Sequence, residues 1–113
     1  MEECLFCKIV QGEIPSKKVY EDDKILAFYD INPVAPIHVL IIPKVHIESL
    51  AKIKNEQLEL MGYIFGKIRD IAKDLNLVKG YRVVNNCGQD GGQEVGHLHF
   101  HLLGGKSMTW PLG

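Results

Sequence analysis

The sequence predicts an α+β fold: a five-stranded antiparallel sheet with one long helix and short helical segments. Three observations carry that expectation. Ile37–Ile42 is a β-branched run between two prolines, Leu58–Leu75 has a helical apolar period, and histidines alternate with apolar residues from His97 to Leu102. At 113 residues the chain suits a single domain over positions 1–113, long enough to bury a core.

Taken in order, Val19–Tyr20 and Ile25–Asp30 read as a hairpin whose turn, Glu21-Asp22-Asp23-Lys24, is built from acidic turn formers. Ile37–Ile42, bounded by Pro36 and Pro43, is the third strand of an antiparallel meander. Leu58, Met61, Ile64, Phe65, Ile68, Ile71, Ala72 and Leu75 then follow a period near 3.6, which predicts a helix from Asn55, a good N-cap, to about Asn76. Gly62 and Gly66 interrupt it, each at a cost of about 1 kcal/mol relative to alanine, which points to a close approach such as helix against sheet. Tyr81–Asn85 is a fourth strand and Val95–Leu103 a fifth, ended by Gly104-Gly105.

Composition narrows the function classes. Hydrophobic residues at 46% and charged residues at 24% fit a globular chain. Thirteen basic against 14 acidic side chains give a net charge of -1, so no positive field gathers polyanions and nucleic-acid binding is not expected. The longest apolar stretch, Val34–Pro43, falls short of the roughly 20 residues a membrane span needs. Met1-Glu2-Glu3-Cys4 lacks the basic and apolar regions of a secretion signal, so a cytoplasmic location is expected. Three cysteines, an odd number, argue against a disulfide framework and turn attention to metal binding or free thiols.

The fifth strand carries the chemistry. On a strand His97, His99 and His101 share one face while Leu98, Phe100 and Leu102 share the other, so the imidazoles face a pocket and the apolar set a core. Neighbouring rings are about 7 Å apart by strand rise, so only one, the middle one, suits in-line attack on a phosphorus atom. A solvated row or a chance metal patch is the plainer alternative. The preceding Asn86-Cys87-Gly88-Gln89-Asp90-Gly91-Gly92-Gln93-Glu94 is a glycine-rich turn in which backbone N–H groups can approach an anion, although such turns are often simple connections. The Asn86 amide can donate to a phosphate oxygen or to a leaving group.

These segments resemble the histidine triad (HIT) family of nucleotide-binding proteins and hydrolases, whose signature is H-x-H-x-H followed by apolar or small residues. The resemblance extends over nearly the whole chain, through Phe28-Tyr29-Asp30-Ile31-Asn32-Pro33, Pro36–Lys44, Asp90-Gly91-Gly92-Gln93 and Met108-Thr109-Trp110-Pro111. The tail is similar to the branch that hydrolyses nucleoside phosphoramidates. A HIT-like fold is therefore implied. So is a purine nucleoside phosphoramidate hydrolase that works through a covalent nucleotidyl-histidine intermediate.

By position, the resemblance makes His99 the nucleophile, puts His101 and Asn86 on the phosphate, and makes Gly92-Gln93-Glu94 the phosphate loop. It puts Asp30 on the ribose hydroxyls, Ile31 beside the base, and His38 as a fourth histidine that orients the triad. Read alone, Asp30 is a turn cap and His38, alternating with Leu40 and Ile42, a satisfied core residue. Glu94 departs from the serine of animal members and can relay a proton to a leaving amine, or simply be a solvated carboxylate. A base pocket of Ile9, Phe28 and Ile31 is expected.

No cofactor is expected for catalysis, but a structural zinc is. Cys4 and Cys7 form a C-x-x-C pair that needs two further ligands for a tetrahedral site. His46 and His97 can supply them, as in relatives similar at these four positions; two free thiols are the alternative. The family also implies a homodimer, with the glycines of the long helix at the contact and Trp110 reaching toward the partner's site. Two other readings stay open: a nucleotide-binding scaffold without turnover, and a dinucleoside polyphosphate hydrolase.

Overall fold

The computed structural model describes residues 4–111; the acidic start at Met1-Glu2-Glu3 lies outside the described residues. The elements are α1 (Leu5–Val10), β1 (Lys18–Glu21), β2 (Ile25–Tyr29), β3 (Ile37–Pro43), α2 (Leu58–Asp74), β4 (Arg82–Val84) and β5 (Phe100–Gly104), with short 3-10 turns at Leu50–Lys52 and Asn55–Gln57. The five strands form one antiparallel sheet in the order β1-β2-β3-β5-β4. The predicted class and strand count are the observed ones. Among the described residues no helix is long and apolar enough to cross a membrane.

The hairpin turn forms because the Asp22 carboxylate accepts from the backbone N–H groups of Lys24 (2.7 Å) and Ile25 (2.8 Å), which mimics a backbone turn. The same carboxylate accepts from Tyr20 Oη (2.8 Å) and from the Tyr63 hydroxyl of α2, tying helix to hairpin. Burial raises the Asp22 carboxyl, but the Tyr63 hydroxyl, the two amides and the Tyr20 hydroxyl outweigh it and hold the group well below the usual carboxylate range.

The central strands are buried on both faces. Ile25, Ala27, Val39, Ile41, Phe100 and Leu102 pack beneath the α2 residues Met61, Ile64, Ile68 and Ile71. Leu26, Phe28, Leu40 and Ile42 form a second cluster with Phe6 and Ile9 of α1 on the opposite face. Each Val, Leu, Ile, Phe or Met among them contributes roughly 1.5–3 kcal/mol by leaving water. Their alternation pins the register, because a one-residue slip would exchange the two clusters. His38 and the histidine row lie on the α1 side.

The predicted helix and the last two strands change at their boundaries. The helix opens as a 3-10 turn at Asn55–Gln57 and becomes α-helical only at Leu58, so Asn55 is not its cap; Lys54 N donates to Gln57 Oε1 (2.9 Å) there instead. The helix stops where Asn76 takes a left-handed conformation (φ 61°). The fourth strand shortens to Arg82–Val84.

The fifth strand runs Phe100–Gly104, not Val95–Leu103, and the reason lies in its neighbour. Ile41 pairs with Phe100, so Leu98 would fall opposite Pro43, which has no N–H to donate, and the ladder ends. Leu98 N donates instead to the Ile47 carbonyl (2.6 Å), and His97 N folds back on the Val95 carbonyl (2.8 Å). Gly105 (φ 89°) turns the chain away after β5; a Cβ there would meet Pro36 at 3.0 Å.

Candidate active site and metal centre

Although His97 and His99 precede the ladder, the side-chain alternation persists. His97 and His99 are buried and His101 is half-buried on the α1 side, while Leu98, Phe100 and Leu102 are buried on the α2 side. The predicted open pocket therefore holds only at one end. Phe6 of α1 covers the His97–His99 end, and at His101 the face opens into a cleft of about 860 Å³. Asp30, His38, Asn86, Glu94 and His101 line it, with the cations Arg82 and Lys106. That volume suits a small-molecule ligand.

Backbone groups fix the protons on this row. A carbonyl only accepts, so the 2.7 Å contact of His99 Nδ1 with the His97 carbonyl puts the proton on Nδ1 and leaves the His99 Nε2 lone pair free. An amide N–H only donates, so Val34 N, 3.2 Å from His38 Nδ1, places the His38 proton on Nε2. That Nε2 donates to His101 Nδ1 at 2.9 Å, which leaves the His101 proton on its own Nε2. A free acceptor on His99 thus neighbours a free donor on His101, with ring centroids 5.1 Å apart.

Electrostatics keep His38 and His101 in this state. Burial holds His38 below the ordinary imidazole range, against the opposite pull of Asp30. Burial, followed by the neighbouring His99 and His38, pushes His101 down to about 4 despite Asp30. Both rings are therefore neutral at pH 7.

The other nucleotide-site candidates divide. Asp30 Oδ1 accepts from Asn32 N (2.7 Å), the turn cap its position allows, while Oδ2 lies 3.4 Å from His38 Nε2. Asn86 Nδ2 donates to the Gly91 carbonyl (2.8 Å), closing the glycine-rich loop. Gln93 is fully engaged within that loop: its Oε1 accepts from Gly88 N (2.9 Å) and its Nε2 donates to the Glu48 (2.8 Å) and Val95 (2.9 Å) carbonyls. Gly92 holds a left-handed φ of 78°, and Glu94 is exposed at the cleft. Ile31 is 91% exposed, whereas Ile9 of α1 and Phe28 of β2 are buried together between that helix and the sheet.

Asn85 and Phe6 are absent from the sequence-based set. Asn85 Nδ2 donates to the His99 carbonyl (2.9 Å), taking the place of the ladder bond that β4 no longer makes there. Phe6 stands edge-on to His99, centroids 5.1 Å apart at 88°. Their only signals are adjacency, Asn85 to Asn86 and Phe6 within the C-x-x-C.

That C-x-x-C does meet its predicted partners. Cys4 Sγ lies 3.2 Å from His97 Nδ1, and Cys7 Sγ lies 3.3 Å from His46 Nδ1 and 3.6 Å from His97 Nδ1. All four donor atoms fall within 4.8 Å of one another. His97 Nε2 donates to the Pro43 carbonyl (2.8 Å), which leaves its Nδ1 lone pair turned to the thiols, the outer-partner arrangement of a metal-ligating histidine. Burial pushes His97 down to about 4, keeping it in the neutral form a metal needs. Burial, the Cys4 hydrogen bond and the Cys4 charge push the Cys7 thiol up to about 11, a shift that a coordinated cation reverses. Two sulfurs and two imidazole nitrogens so placed fit the tetrahedral donor set of zinc.

A five-stranded antiparallel sheet with three alternating imidazoles on one face, the last of them, His101, opening into such a cleft, defines a histidine triad protein. The chain belongs to the HIT domain family, whose model matches residues 11–108. It is 52% identical to a 14 kDa zinc-binding protein of Zea mays over 96% of this chain and 87% of that one. Its structure is similar to a HIT family hydrolase from Legionella pneumophila (TM-score 0.96, 52% identity, 98% of this chain and 100% of that one). It is also similar to a histidine triad nucleotide-binding protein from Candida albicans (TM-score 0.81, 39% identity, 98% and 85%).

Proposed function

We propose that this protein is a nucleoside phosphoramidate hydrolase in which His99 is the nucleophile and a purine nucleotide occupies the cleft. One observation carries the reading: the His99 ring, whose proton is on Nδ1 and whose Nε2 lone pair is unengaged, lies 5.1 Å centroid to centroid from the His101 ring, whose proton is on Nε2. The kinship with a HIT family hydrolase and a histidine triad nucleotide-binding protein supports it.

In the first step His99 Nε2 attacks the α-phosphorus, a P–N bond forms to the imidazole, and the P–N bond to the leaving amine breaks with its electron pair on the amine nitrogen. That nitrogen takes a proton from solvent relayed by the exposed Glu94 carboxylate. In the second step water attacks phosphorus, the nucleotidyl-imidazole bond breaks, and the water proton returns to solvent. His101 Nε2–H, Asn86 and the backbone of Gly92-Gln93-Glu94 hold the non-bridging oxygens, and His38 fixes the His101 tautomer. Asp30 Oδ2 accepts from the ribose hydroxyls and Ile31 flanks the base.

Cys4, Cys7, His46 and His97 hold a structural zinc, which supplies folding energy and no catalytic step. The kinship with a zinc-binding protein supports this. The described cysteines Cys4, Cys7 and Cys87 form no disulfide, in keeping with a cytoplasmic, reducing compartment. The chain works as a homodimer through α2, with Trp110, 83% exposed, available to the partner's site.

Mass spectrometry of the protein mixed with an adenosine phosphoramidate tests the mechanism. The expected result is a nucleotidyl adduct that is absent from His99→Ala. Undiminished hydrolysis by that variant overturns the assignment.

A further inference from the structure

The metal cluster and the nucleophile are joined by two short physical links. The first is His97, which turns Nδ1 to the thiols while its backbone carbonyl accepts the Nδ1 proton of His99 at 2.7 Å. The same residue thus ends the metal site and sets the His99 tautomer. The second is α1, which begins inside the cluster: Cys4 caps it, its Sγ accepting from Cys7 N (3.2 Å). Between the two thiols the helix carries Phe6, whose ring meets His97 (5.9 Å, 71°), His99 (5.1 Å, 88°) and Phe28 (5.6 Å, 76°) edge-to-face.

This end of the molecule is held by the packing of Phe6 and Ile9 and by single hydrogen bonds at His97, Leu98 and His99 rather than by the sheet ladder. His97–His99 lies outside the ladder, since β5 begins at Phe100. A helix of six residues is far below the length at which a helix is stable alone. A metal bound by Cys4, Cys7, His46 and His97 would tie the helix start, the segment after β3 and the segment before β5 at a single point.

We propose that this cluster acts as a clamp that orients the catalytic nucleophile, with Phe6 as a positioning residue, so that metal occupancy sets the turnover of His99 rather than the affinity for substrate. The proposal rests on His99 being the nucleophile. Filling the cluster holds the His97 carbonyl in place to accept from His99 Nδ1 and holds Phe6 against the His99 ring. Emptying it frees α1, and His99 then samples other ring angles and the tautomer with its proton on Nε2, which cannot attack. The cleft residues Asp30, His38 and Asn86 lie outside this link, so substrate binding is spared.

The test uses full-length 15N-labelled protein, stripped with a chelator and titrated with Zn2+. Ring 15N–1H resonances and adenosine phosphoramidate kinetics are followed together. With zinc, His99 shows a single protected Nδ1–H. Without it, that signal broadens or divides between tautomers, and kcat falls about 10- to 100-fold while KM changes less than about threefold, as expected for misplacement of a reacting group. Zinc-loaded Phe6→Ala reproduces the kcat loss with its metal content intact, and Phe6→Leu, which refills the volume, recovers most of it.

An unchanged His99 Nδ1–H signal and kcat in folded, metal-free protein overturn the clamp. If the stripped chain unfolds, zinc-loaded Phe6→Ala decides: wild-type kcat and an unchanged His99 signal overturn it. Absence of phosphoramidate turnover in every form would instead count against the hydrolase reading, while the His99 resonance still reads the coupling.

Discussion

His38 Nε2 donates to His101 Nδ1 at 2.9 Å, and it can do so only because the Val34 amide occupies the other nitrogen of the His38 ring. A main-chain N–H thereby dictates, two rings away, that the cleft meets a donor. His38→Ala removes the donor that sets the His101 tautomer and also the neighbour of Asp30 Oδ2. Steady-state kinetics should show kcat reduced by about 10- to 1,000-fold, less than the roughly 10,000-fold lost when the partner that orients a triad histidine is removed, because His38 acts one ring further from the reacting atom. Retained far-UV dichroism would assign the loss to orientation, and a wild-type kcat would refute the role.

The depressed pKa of His101 makes a statement about stability. Burial and the neighbouring His99 and His38 push the folded-state value down to about 4, whereas the unfolded ring titrates near its ordinary 6.5. Between those values the unfolded chain binds more protons, so unfolding free energy rises with pH across the window and is lost as pH falls through it. Urea midpoints should therefore drop from about pH 6.5 toward pH 4 at constant m. His101→Gln should flatten part of that slope, and an equal slope in the variant would place the effect elsewhere.

The glycine-rich loop owes its shape to two residues. A Cβ at Gly91 would lie 2.3 Å from the Cys87 carbonyl oxygen and 2.8 Å from the Cys87 amide nitrogen, so Gly91→Ala must deform the loop. Gln93→Ala deletes three hydrogen bonds that tie the loop to itself and to Glu48. With each net bond worth about 1 kcal/mol, Gln93→Ala should cost about 1–3 kcal/mol in chemical denaturation. It should also raise KM, because the loop brings Asn86 and Glu94 to the cleft. A KM change in neither variant would remove the loop from substrate binding.

Much of this architecture was legible because period and face are written in single residues. The alternation Leu26/Phe28 against Ile25/Ala27, and the Met61–Ala72 period, each translated directly into the two core clusters. The end of the fifth strand was not legible, because it depends on Pro43 falling opposite Leu98 once β3 and β5 are paired, a register no local pattern encodes. Of the metal cluster, the C-x-x-C pair is legible as two thiols that need two further ligands, while the choice of His46 and His97 among five histidines follows from the resemblance to relatives similar at these four positions. Phe6 escaped because an aromatic beside a cysteine is usually plain core, and Asn85 because its amide replaces a ladder bond whose absence shows only in three dimensions. The burial of Ile9 and Phe28 beside an exposed Ile31 is likewise a difference that residue type does not encode.

Gly62 distinguishes the chain alone from a pair of chains. The expectation of tight packing on the sheet is not met, since a Cβ at Gly62 finds no atom within 4 Å and one at Gly66 only Arg69 Nη2 at 4.0 Å. On the same stripe of α2, Leu58 is 58% and Phe65 54% exposed. In an isolated chain Gly62→Ala should then stabilise the helix by about 1 kcal/mol, with nothing to oppose it. If a second copy covers the stripe, as the homodimer proposal requires, the added Cβ intrudes on the partner and the sign reverses at high protein concentration. Gly62→Arg should go further, giving a monomer in sedimentation whose melting temperature no longer rises with concentration as the wild type's does. Wild-type sedimentation by Gly62→Arg, or stabilisation by Gly62→Ala at every concentration, would move the contact away from this face.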